Sequence, residues 1–369
     1  MSCDFIAQAN LGVQGLHPYQ PGKPIEELQR ELGVEHVVKL ASNENPLGPS
    51  PKVVAACSAA AQDICRYPDA SGFELKKALS AYLSVDAELF TLGNGSNDVL
   101  DLIARTFLQP GTSAVYSQHG FIVYPIAVKA CGARAIVTPA KQWGHDLTAM
   151  AAAVEVDTKV IFIANPNNPT GTSFARAEFT DFMAQVPAHV VVVLDEAYVE
   201  FNDGEDQLDG VTLLPQYDNL IVTRTFSKAW GLAALRVGYA VAGQQITDLL
   251  NRVRAPFNVN SMALVAAEAV LADADYLAQS RAVNHDGMQQ LTTGLEKLGV
   301  TFIPSAGNFI AAEFRGDVMA IYQKLLEQGV IVRPVGVYEM PQHLRISVGL
   351  ESENTLLLQA LAKVLGEQV

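Results

Sequence analysis

The feature that most constrains the fold is a series of short apolar segments separated by helical stretches, between about residues 51 and 250. The segment at 190–194 reads Val-Val-Val-Val-Leu, which is typical of a strand covered on both faces of a parallel sheet. Alternating strands and helices predict an α/β fold that binds ligands at the carboxyl ends of its strands. The predicted strands lie at 114–116, 135–137, 160–164, 190–194, 220–223 and 237–241.

The chain on either side of this region has a different pattern. The first 36 residues predict an extended arm and a helix over 24–32, which we expect to pack with a smaller domain or a partner subunit. We then expect a large, mostly parallel-sheet α/β domain over 37–260 and a smaller α+β domain over 261–369, which a long helical region opens. Outside the main series, the sequence predicts strands at 37–41, 309–314, 330–333 and 343–348, and helices at 261–299, 318–328 and 353–365.

The charge and the cysteines exclude several kinds of partner. The 369 residues carry a formal net charge of −14, whereas binding to a phosphate backbone requires a basic face. The sequence has no apolar run of the roughly 20 residues that a membrane span needs and no secretory signal pattern. We therefore expect no nucleic-acid or membrane partner and a cytoplasmic protein. We also expect no metal site, because no zinc-site spacing is formed by Cys3, Cys57, Cys65 and Cys131.

Lys228 follows the strand predicted at 220–223, in the segment Thr-Phe-Ser-Lys-Ala-Trp-Gly-Leu. A loop lysine is usually a solvated surface charge. Here Phe226 and Trp230 are expected to desolvate the amine, which favours its neutral, nucleophilic form. Arg236 follows eight residues later and could supply positive charge for a phosphate group. The segment is therefore either a solvated loop or the site of a lysine that forms a Schiff base with a phosphorylated cofactor, and the choice depends on other residues.

Polar residues follow two other apolar segments, and a glycine-rich turn precedes a helical stretch. Asp195 directly follows 190–194 and could hold the pyridine nitrogen of pyridoxal phosphate. A helix N-cap is the alternative; a Walker-B magnesium site would need a phosphate-binding loop that the sequence lacks. Asn-Pro-Asn-Asn-Pro-Thr-Gly at 165–171 is either a plain turn or a stiff loop that holds Asn168 against a ligand hydroxyl. Gly-Asn-Gly-Ser-Asn-Asp at 93–98 is either an ordinary helix start or a phosphate cradle.

Taken together, the chain resembles the fold-type I aminotransferases, which use pyridoxal 5′-phosphate, and within them the histidinol-phosphate aminotransferase branch. The resemblance implies the transfer of an amino group between L-histidinol phosphate or imidazole-acetol phosphate and 2-oxoglutarate or L-glutamate, in L-histidine biosynthesis. Six motifs carry it: Leu-Ala-Ser-Asn-Glu-Asn-Pro-Leu-Gly at 40–48, Arg-Tyr-Pro-Asp at 66–69, Asn-Asn-Pro-Thr-Gly at 167–171, Asp-Glu-Ala-Tyr at 195–198, Ser-Lys to Arg at 227–236, and Leu-Arg-Ile-Ser-Val-Gly at 344–349.

The resemblance implies a role for each matching residue. Lys228 would carry the cofactor, Asp195 would hold the pyridine nitrogen, and Asn168 and Tyr198 would hold the ring hydroxyl. Lys228, Asp195 and Tyr198 would form the catalytic set. The chain would act as a homodimer with shared active sites. The cofactor phosphate would be held by Gly95, Ser96, Asn97, Ser227 and Arg236, together with Tyr67 of the partner subunit. Substrate would be bound by Tyr19, Asn43, Arg333 and Arg345.

One position departs from the family pattern. The aromatic residue that stacks on the cofactor ring is expected within Ser-Gln-His-Gly-Phe-Ile-Val-Tyr at 117–124, where the spacing to Tyr124 favours Phe121 and His119 is the alternative. The substrate also has alternatives. An aromatic or broad-specificity amino-acid aminotransferase, a threonine-phosphate decarboxylase and a non-enzymatic cofactor-binding relative share these motifs.

Overall fold

The computed structural model of the chain describes residues 3–18, 22–204 and 206–366. No helix in these ranges has both the length and the apolar character needed to cross a membrane. The four cysteines are all free. The strands are β1 (Val38–Lys39), β2 (Phe90–Gly93), β3 (Ser113–Ser117), β4 (Arg134–Thr138), β5 (Thr158–Ala164), β6 (Val191–Asp195), β7 (Leu220–Thr225), β8 (Gly238–Ala242), β9 (Thr301–Ile303), β10 (Phe309–Glu313), β11 (Val330–Ile331), β12 (Arg333–Pro334) and β13 (His343–Ser347).

The α-helices are α1 (Phe5–Gln8), α2 (Leu11–Gln14), α3 (Ile25–Leu32), α4 (Pro51–Ala60), α5 (Phe73–Leu83), α6 (Ser96–Phe107), α7 (Val123–Ala130), α8 (Leu147–Ala152), α9 (Arg176–Met183), α10 (Gln244–Val253), α11 (Ser261–Leu271), α12 (Ala274–Lys297), α13 (Val318–Glu327) and α14 (Glu351–Gly366). The predicted helix over 24–32 is confirmed as α3. The extended arm was wrong in part, because Asp4 and Asn10 accept hydrogen bonds from backbone N–H groups and cap two one-turn helices.

Seven strands form the main sheet, in the order β2-β8-β7-β6-β5-β3-β4. Strand β8 runs antiparallel to both of its neighbours, and the other strand pairs are parallel. The predicted mostly parallel sheet is therefore confirmed. The edge strand β2 was not predicted from the sequence.

Helices cover both faces of this sheet, which explains the continuous apolar run in β6. Val192 and Leu194 pack into the core on one face, with Phe179 of α9. Val191 and Val193 pack into the core on the other face, with side chains of α6 and α7. Because side chains alternate across a strand, a strand buried on both faces is apolar at every position.

The carboxyl-terminal part of the chain contains a four-stranded antiparallel sheet in the order β12-β13-β10-β9. Two predictions in this region were wrong in detail. The strand predicted at 330–333 is divided between two sheets, since β11 pairs with β1 and β12 pairs with β13. The helix predicted over 261–299 is interrupted at Asp273, because the backbone of this residue leaves the helical conformation, with φ of −115° and ψ of 70°, between α11 and α12.

The packing of two segments, α11 and the residues after β1, bears on the boundaries between the predicted domains. Ala263, Ala266 and Ala267 of α11 pack in the core of the main sheet, whereas Leu40, just after β1, packs with the carboxyl-terminal core. The division at residues 37 and 261 stays a prediction. We propose that α11 belongs with the large domain and that the segment around Leu40 belongs with the small one.

Candidate active site

A cavity of about 200 Å³ lies where the carboxyl ends of β5, β6 and β7 face the small sheet. This is the position that an α/β sheet provides for a ligand. Gly95 lies next to Arg236, and Tyr19 lies outside the described residues. Most of the site residues predicted from the sequence line this cavity, namely Asn43, Ser96, Asn97, Phe121, Asn168, Asp195, Tyr198, Ser227, Lys228, Arg236, Arg333 and Arg345.

Lys228 projects its amine into the cavity. Its Nζ donates a hydrogen bond to the backbone oxygen of Ser42 over 3.0 Å and lies 5.7 Å from the centre of the Tyr198 ring. Desolvation, reinforced by the positive charge of Arg345, lowers the pKa of Lys228 to about 7. The amine is therefore largely neutral above pH 7 and can act as a nucleophile or a base.

The predicted source of this desolvation was wrong. Phe226 and Trp230 are buried in the main core, where their rings pack against each other with centroids 6.0 Å apart. Phe226 also packs on Tyr239. The aromatic ring beneath the lysine amine is that of Tyr198, thirty residues earlier in the chain.

Asp195 ends β6 and is buried. Its carboxylate accepts hydrogen bonds from the Tyr124 hydroxyl over 2.9 Å and from the Thr223 hydroxyl over 3.2 Å. Burial raises the pKa of Asp195 to about 6, although both hydroxyl donors act to lower it. At neutral pH this carboxylate is a buried anion that suits a protonated ring nitrogen.

A connected cluster of amides, a phenol and a guanidinium forms one wall of the cavity. The Tyr198 hydroxyl accepts hydrogen bonds from the side-chain amides of Asn43, over 2.9 Å, and Asn168, over 3.2 Å. Arg345 donates to Asn168 Oδ1 over 2.6 Å and to the Ala41 backbone oxygen over 2.7 Å. Arg345 Nε is buried without a hydrogen-bond partner among the described residues, so this guanidinium has unused donor capacity.

Hydrogen-bond donors that suit an anion lie at another part of the cavity, around the start of α6. Arg236 donates to the Ser227 hydroxyl over 3.0 Å and has a left-handed backbone conformation, with a φ of 58°. Its guanidinium approaches Gly95 so closely that a Cβ there would lie 2.3 Å from Nη2. Ser96 begins α6 directly after Gly95, and no side chain caps this helix start. Unpaired N–H groups, hydroxyls and a guanidinium at one helix N-terminus are an arrangement that binds phosphate.

A second arginine faces the cavity from the neighbouring strand. Arg333 of β12 is the antiparallel partner of Arg345 in β13, and both residues line the cavity. Directly opposed residues in an antiparallel pair have closely spaced side chains on the same face of the sheet. The register of the small sheet therefore brings two positive charges to one side of the cavity.

The structure distinguishes the two candidates for ring stacking. Phe121 lines the cavity, with its ring edge-on to Tyr124 at 5.9 Å. The His119 side chain is buried elsewhere, with Nδ1 2.7 Å from the backbone oxygen of Tyr338. The geometry therefore favours Phe121. Tyr67 is 83% exposed, stacks on Phe257 and does not line this cavity.

Several residues that hold the predicted side chains in place were not predicted from the sequence. Ser42 contributes only a backbone oxygen, and a residue type cannot reveal such a contact. Tyr124 and Thr223 act through Asp195, and Ser347 fixes Asn43 through hydrogen bonds to its backbone N–H and its amide oxygen. Helical spacing gives no signal for Tyr124, because α7 begins at Val123 and Phe121 lies before the helix.

Comparison with known proteins gives a consistent picture. The model of the family "Aminotransferase class I and II" matches residues 35–361. The chain is 58% identical over 367 residues to "Histidinol-phosphate aminotransferase 2" of Pseudomonas fluorescens, with 99% of each chain covered. It is 57% identical over 364 residues to the protein of the same name from Pseudomonas aeruginosa, with 98% of this chain and 99% of the relative covered.

Solved aminotransferase structures share the fold of this chain. A crystal structure of histidinol-phosphate aminotransferase from Sinorhizobium meliloti in complex with pyridoxal-5′-phosphate is 30% identical, with a TM-score of 0.90 and 97% of each chain covered. The aspartate aminotransferase of Thermus thermophilus with maleate shares the fold, at 21% identity and a TM-score of 0.82, with 99% of this chain and 100% of that chain covered. The predicted fold-type I architecture is thereby confirmed. With its family model matched from residue 35 to residue 361, this chain belongs to the class I and II aminotransferases.

Proposed function

We propose that the chain uses pyridoxal 5′-phosphate to transfer an amino group between L-histidinol phosphate and 2-oxoglutarate, or in the reverse direction, within L-histidine biosynthesis. The observation that carries the proposal is one cavity that joins Lys228 and Asp195 with two arginines on adjacent strands, Arg333 and Arg345. The names of relatives at 57% and 58% identity support this choice of substrate.

The residues of the cavity fit the cofactor at both ends. The Asp195 carboxylate would hold the ring nitrogen, and Asn168 with Tyr198 would hold the ring hydroxyl. Ser96, Asn97, Ser227 and Arg236 would hold the phosphate, and Phe121 would cover one face of the ring. Gly95 supports the assignment of the phosphate site, because a side chain there would displace the Arg236 guanidinium. When bound, pyridoxal phosphate supplies an electron-accepting ring that stabilises negative charge at the substrate carbon.

Lys228 would move the proton during the reaction. Its Nζ has a pKa of about 7, close to neutral pH, where a general base is most effective. The backbone oxygen of Ser42 accepts a hydrogen bond from this amine and orients it. Nζ would take the proton from the substrate carbon that bears the amino group and deliver it to the cofactor carbon bonded to that nitrogen, and would move it in the opposite direction when the second substrate is aminated.

Arg345 and Arg333 would recognise the anionic groups of the substrates. A guanidinium binds both a phosphate monoester and a carboxylate through paired N–H donors, so one pocket can accept histidinol phosphate and glutamate in turn. Two arginines also offset the repulsion that a chain of net charge −14 exerts on anions. Asn43 would lie beside the substrate, fixed there by Ser347. Tyr19 on the arm stays a prediction as a further substrate contact.

The active form would be a homodimer with shared sites, in which Tyr67 of the partner subunit reaches the cofactor phosphate. The exposed, stacked position of this tyrosine supports the assignment. We further propose that the protein acts in the cytoplasm. Four unpaired thiols support that location, because reducing compartments keep cysteines in this form.

Steady-state kinetics with two amino donors would test the proposal. The purified protein, loaded with pyridoxal phosphate, is assayed with L-histidinol phosphate and with L-phenylalanine, with 2-oxoglutarate as acceptor. We expect kcat/KM to be larger for histidinol phosphate by at least about a hundredfold, which corresponds to nearly 3 kcal/mol of differential binding. Equal values would instead indicate a broad or aromatic aminotransferase, and release of carbon dioxide from a phosphorylated amino acid would indicate a decarboxylase.

A further inference from the structure

The hairpin formed by β12 and β13 contributes an aromatic side chain as well as two arginines to the catalytic cavity. The arginines lie on its strands, and Tyr338 lies in the single turn of 3-10 helix between them. Two other aromatic residues line the cavity within the described ranges, and both of them, Phe121 and Tyr198, are assigned to the cofactor. Tyr338 is 6% exposed and has no assigned role.

His119 holds the backbone of this turn. Its side chain is buried, and Nδ1 lies 2.7 Å from the backbone oxygen of Tyr338. Because a carbonyl oxygen only accepts hydrogen bonds, Nδ1 carries a hydrogen and donates it. Gln118 makes a second contact, in which Nε2 donates to the carboxylate of Glu339 over 2.6 Å. Two consecutive residues of one loop therefore hold two consecutive residues of the other.

The loop that carries His119 is itself fixed to the cofactor side of the cavity. The backbone oxygen of His119 accepts a hydrogen bond over 3.0 Å from the side chain of Asn167, in the loop after β5. Phe121, expected to cover the cofactor ring, follows two residues later. Ile122 packs against the small core that contains Tyr338. His119 thus joins the cofactor wall of the cavity to the turn in its substrate wall.

An aromatic ring in the substrate wall distinguishes between the two kinds of amine donor. Histidinol phosphate carries an imidazole ring, whereas glutamate carries a flexible aliphatic chain that ends in a carboxylate. Aromatic rings attract each other in offset or edge-to-face pairs, beyond the effect of the area that they bury. The arginines recognise anionic groups, which both donors have. A tyrosine beside the arginines therefore favours the donor that has a ring.

We propose that Tyr338 is a specificity-determining residue that packs against the ring of the amine donor, and that His119 is the positioning residue that holds it there. His119 does not line the cavity, and it acts through the backbone of Tyr338. The inference rests on the proposed function, in which the donor with a ring is histidinol phosphate.

Two substitutions separate the hydrogen bond of His119 from the packing of its ring, whose centroid lies 5.2 Å from that of Trp143. His119→Asn keeps an N–H donor but removes the ring, and His119→Phe keeps a ring but removes the donor. The second-order rate constant of each half-reaction is followed by cofactor absorbance, with histidinol phosphate, L-phenylalanine and glutamate as donors. We expect His119→Phe to lower the constants for the two aromatic donors about tenfold and the constant for glutamate less than about threefold. His119→Asn should retain most of what His119→Phe loses.

Substitution of Tyr338 tests the route by which His119 acts. Tyr338→Leu should lower the constants for the aromatic donors by about 10- to 100-fold, and by at least about tenfold more than the constant for glutamate. The double variant His119→Phe/Tyr338→Leu should lose no more than Tyr338→Leu alone, because the hydrogen bond acts through the tyrosine. His189→Phe, at an exposed histidine before β6, is the matched control and should react as the parent does.

Three results would overturn the proposal. The first is an equal loss for aromatic donors and glutamate, or no loss, in His119→Phe or in Tyr338→Leu. The second is a loss in His119→Asn with none in His119→Phe, which would assign the effect to ring packing. The third is additive losses in the double variant, which would show that His119 does not act through Tyr338.

A failure of the proposed function would be visible separately. A parent enzyme that prefers L-phenylalanine to histidinol phosphate would contradict the proposed substrate, while the comparison of L-phenylalanine with glutamate would still test Tyr338 and His119. The melting temperature and the cofactor spectrum of each variant check that it is folded and loaded. His119→Leu is a second variant without the donor, for use if His119→Phe does not fold.

Discussion

Arg345 donates a hydrogen bond to Asn168 Oδ1 over 2.6 Å, which couples the residue expected to bind substrate to the amide expected to bind the cofactor. The other amino group of the same guanidinium donates a hydrogen bond to the backbone oxygen of Ala41. The guanidinium plane is thereby fixed before any ligand arrives. A lysine ammonium could not reproduce this arrangement, because its three donors share one nitrogen and lack the planar, paired geometry with which a guanidinium meets an anion.

We predict that Arg345→Lys raises KM for both substrates by about 10- to 100-fold, because a charged hydrogen bond contributes roughly 1.5–3 kcal/mol. The measurement is steady-state kinetics with histidinol phosphate and with glutamate. Arg315→Lys, an exposed arginine of the same small domain, is the control. Unchanged KM values in Arg345→Lys would show that this arginine does not contact the substrate.

Arg333→Ala should separate phosphorylated from carboxylate substrates. We expect kcat/KM to fall about tenfold more for histidinol phosphate than for glutamate, because Arg345 remains to bind the carboxylate. The two half-reactions can be followed separately by the change in cofactor absorbance. Equal losses for both substrates would contradict a role for Arg333 in recognising the phosphate.

Lys228→Ala should abolish turnover, with a loss of several orders of magnitude, because one amine serves as both nucleophile and base. Single-turnover absorbance measurements would quantify the loss. Lys228→Arg is the matched variant: it keeps the positive charge, but arginine does not deprotonate in proteins. Substantial turnover by either variant would be incompatible with the proposed role of Lys228.

Tyr124→Phe removes the 2.9 Å hydrogen bond to Asp195. Because that bond lowers the pKa of Asp195, its loss should raise the pKa above about 6. The cofactor requires the ionised carboxylate, so the variant should bind it more weakly than the parent does at low pH. We expect the loss of affinity to be about tenfold at pH 6 and much smaller at pH 8. Equilibrium binding of pyridoxal phosphate at the two pH values measures the effect. Tyr116→Phe, at another buried tyrosine of the main sheet, should leave the pH dependence unaltered.

Asp195→Asn should stabilise the cofactor-free protein at high pH. The pKa of Asp195 is about 6 in the fold and near 3.8 when unfolded, so the folded state binds more protons between these values and loses stability as the pH rises through them. Removing the charge should therefore raise the free energy of unfolding by about 3 kcal/mol at pH 8 and by much less at pH 4. Urea unfolding at both pH values tests this. An equal effect at both would show that the carboxylate does not titrate as described.

The sequence predicted those parts of the fold and site that depend on local pattern. The strand around 190–194 is apolar at every position because both of its faces are covered, and the aspartate that follows it points into the cavity. Lys228, Asn168 and Arg236 were predicted in the same way, from the ends of strands and from motifs with characteristic residue types. Phe121 was preferred over His119 from spacing alone, and the structure favours it.

Contacts between distant segments could not be predicted in this way. A strand was predicted at 37–41, but no local pattern indicated that Val38–Lys39 pairs with Val330–Ile331. No local pattern indicates that Tyr198, rather than Phe226 or Trp230, lies beneath the lysine amine. The support of Asp195 by Tyr124 likewise joins residues 71 positions apart. Each of these contacts depends on the register of elements that come together only in the complete fold.

The hydrogen bonds between Asn43 and Ser347 close a loop of 304 residues. Every residue assigned to the cofactor precedes position 237. Arg333 and Arg345, which are assigned to the substrate, are synthesised more than ninety residues after the last of them. During synthesis, therefore, the cofactor side of the cavity can form well before the side that admits substrate. A chain that ends before β13 would carry the residues assigned to the cofactor but would lack Arg345, so we expect it to retain the cofactor groups without a complete site for the amine donor.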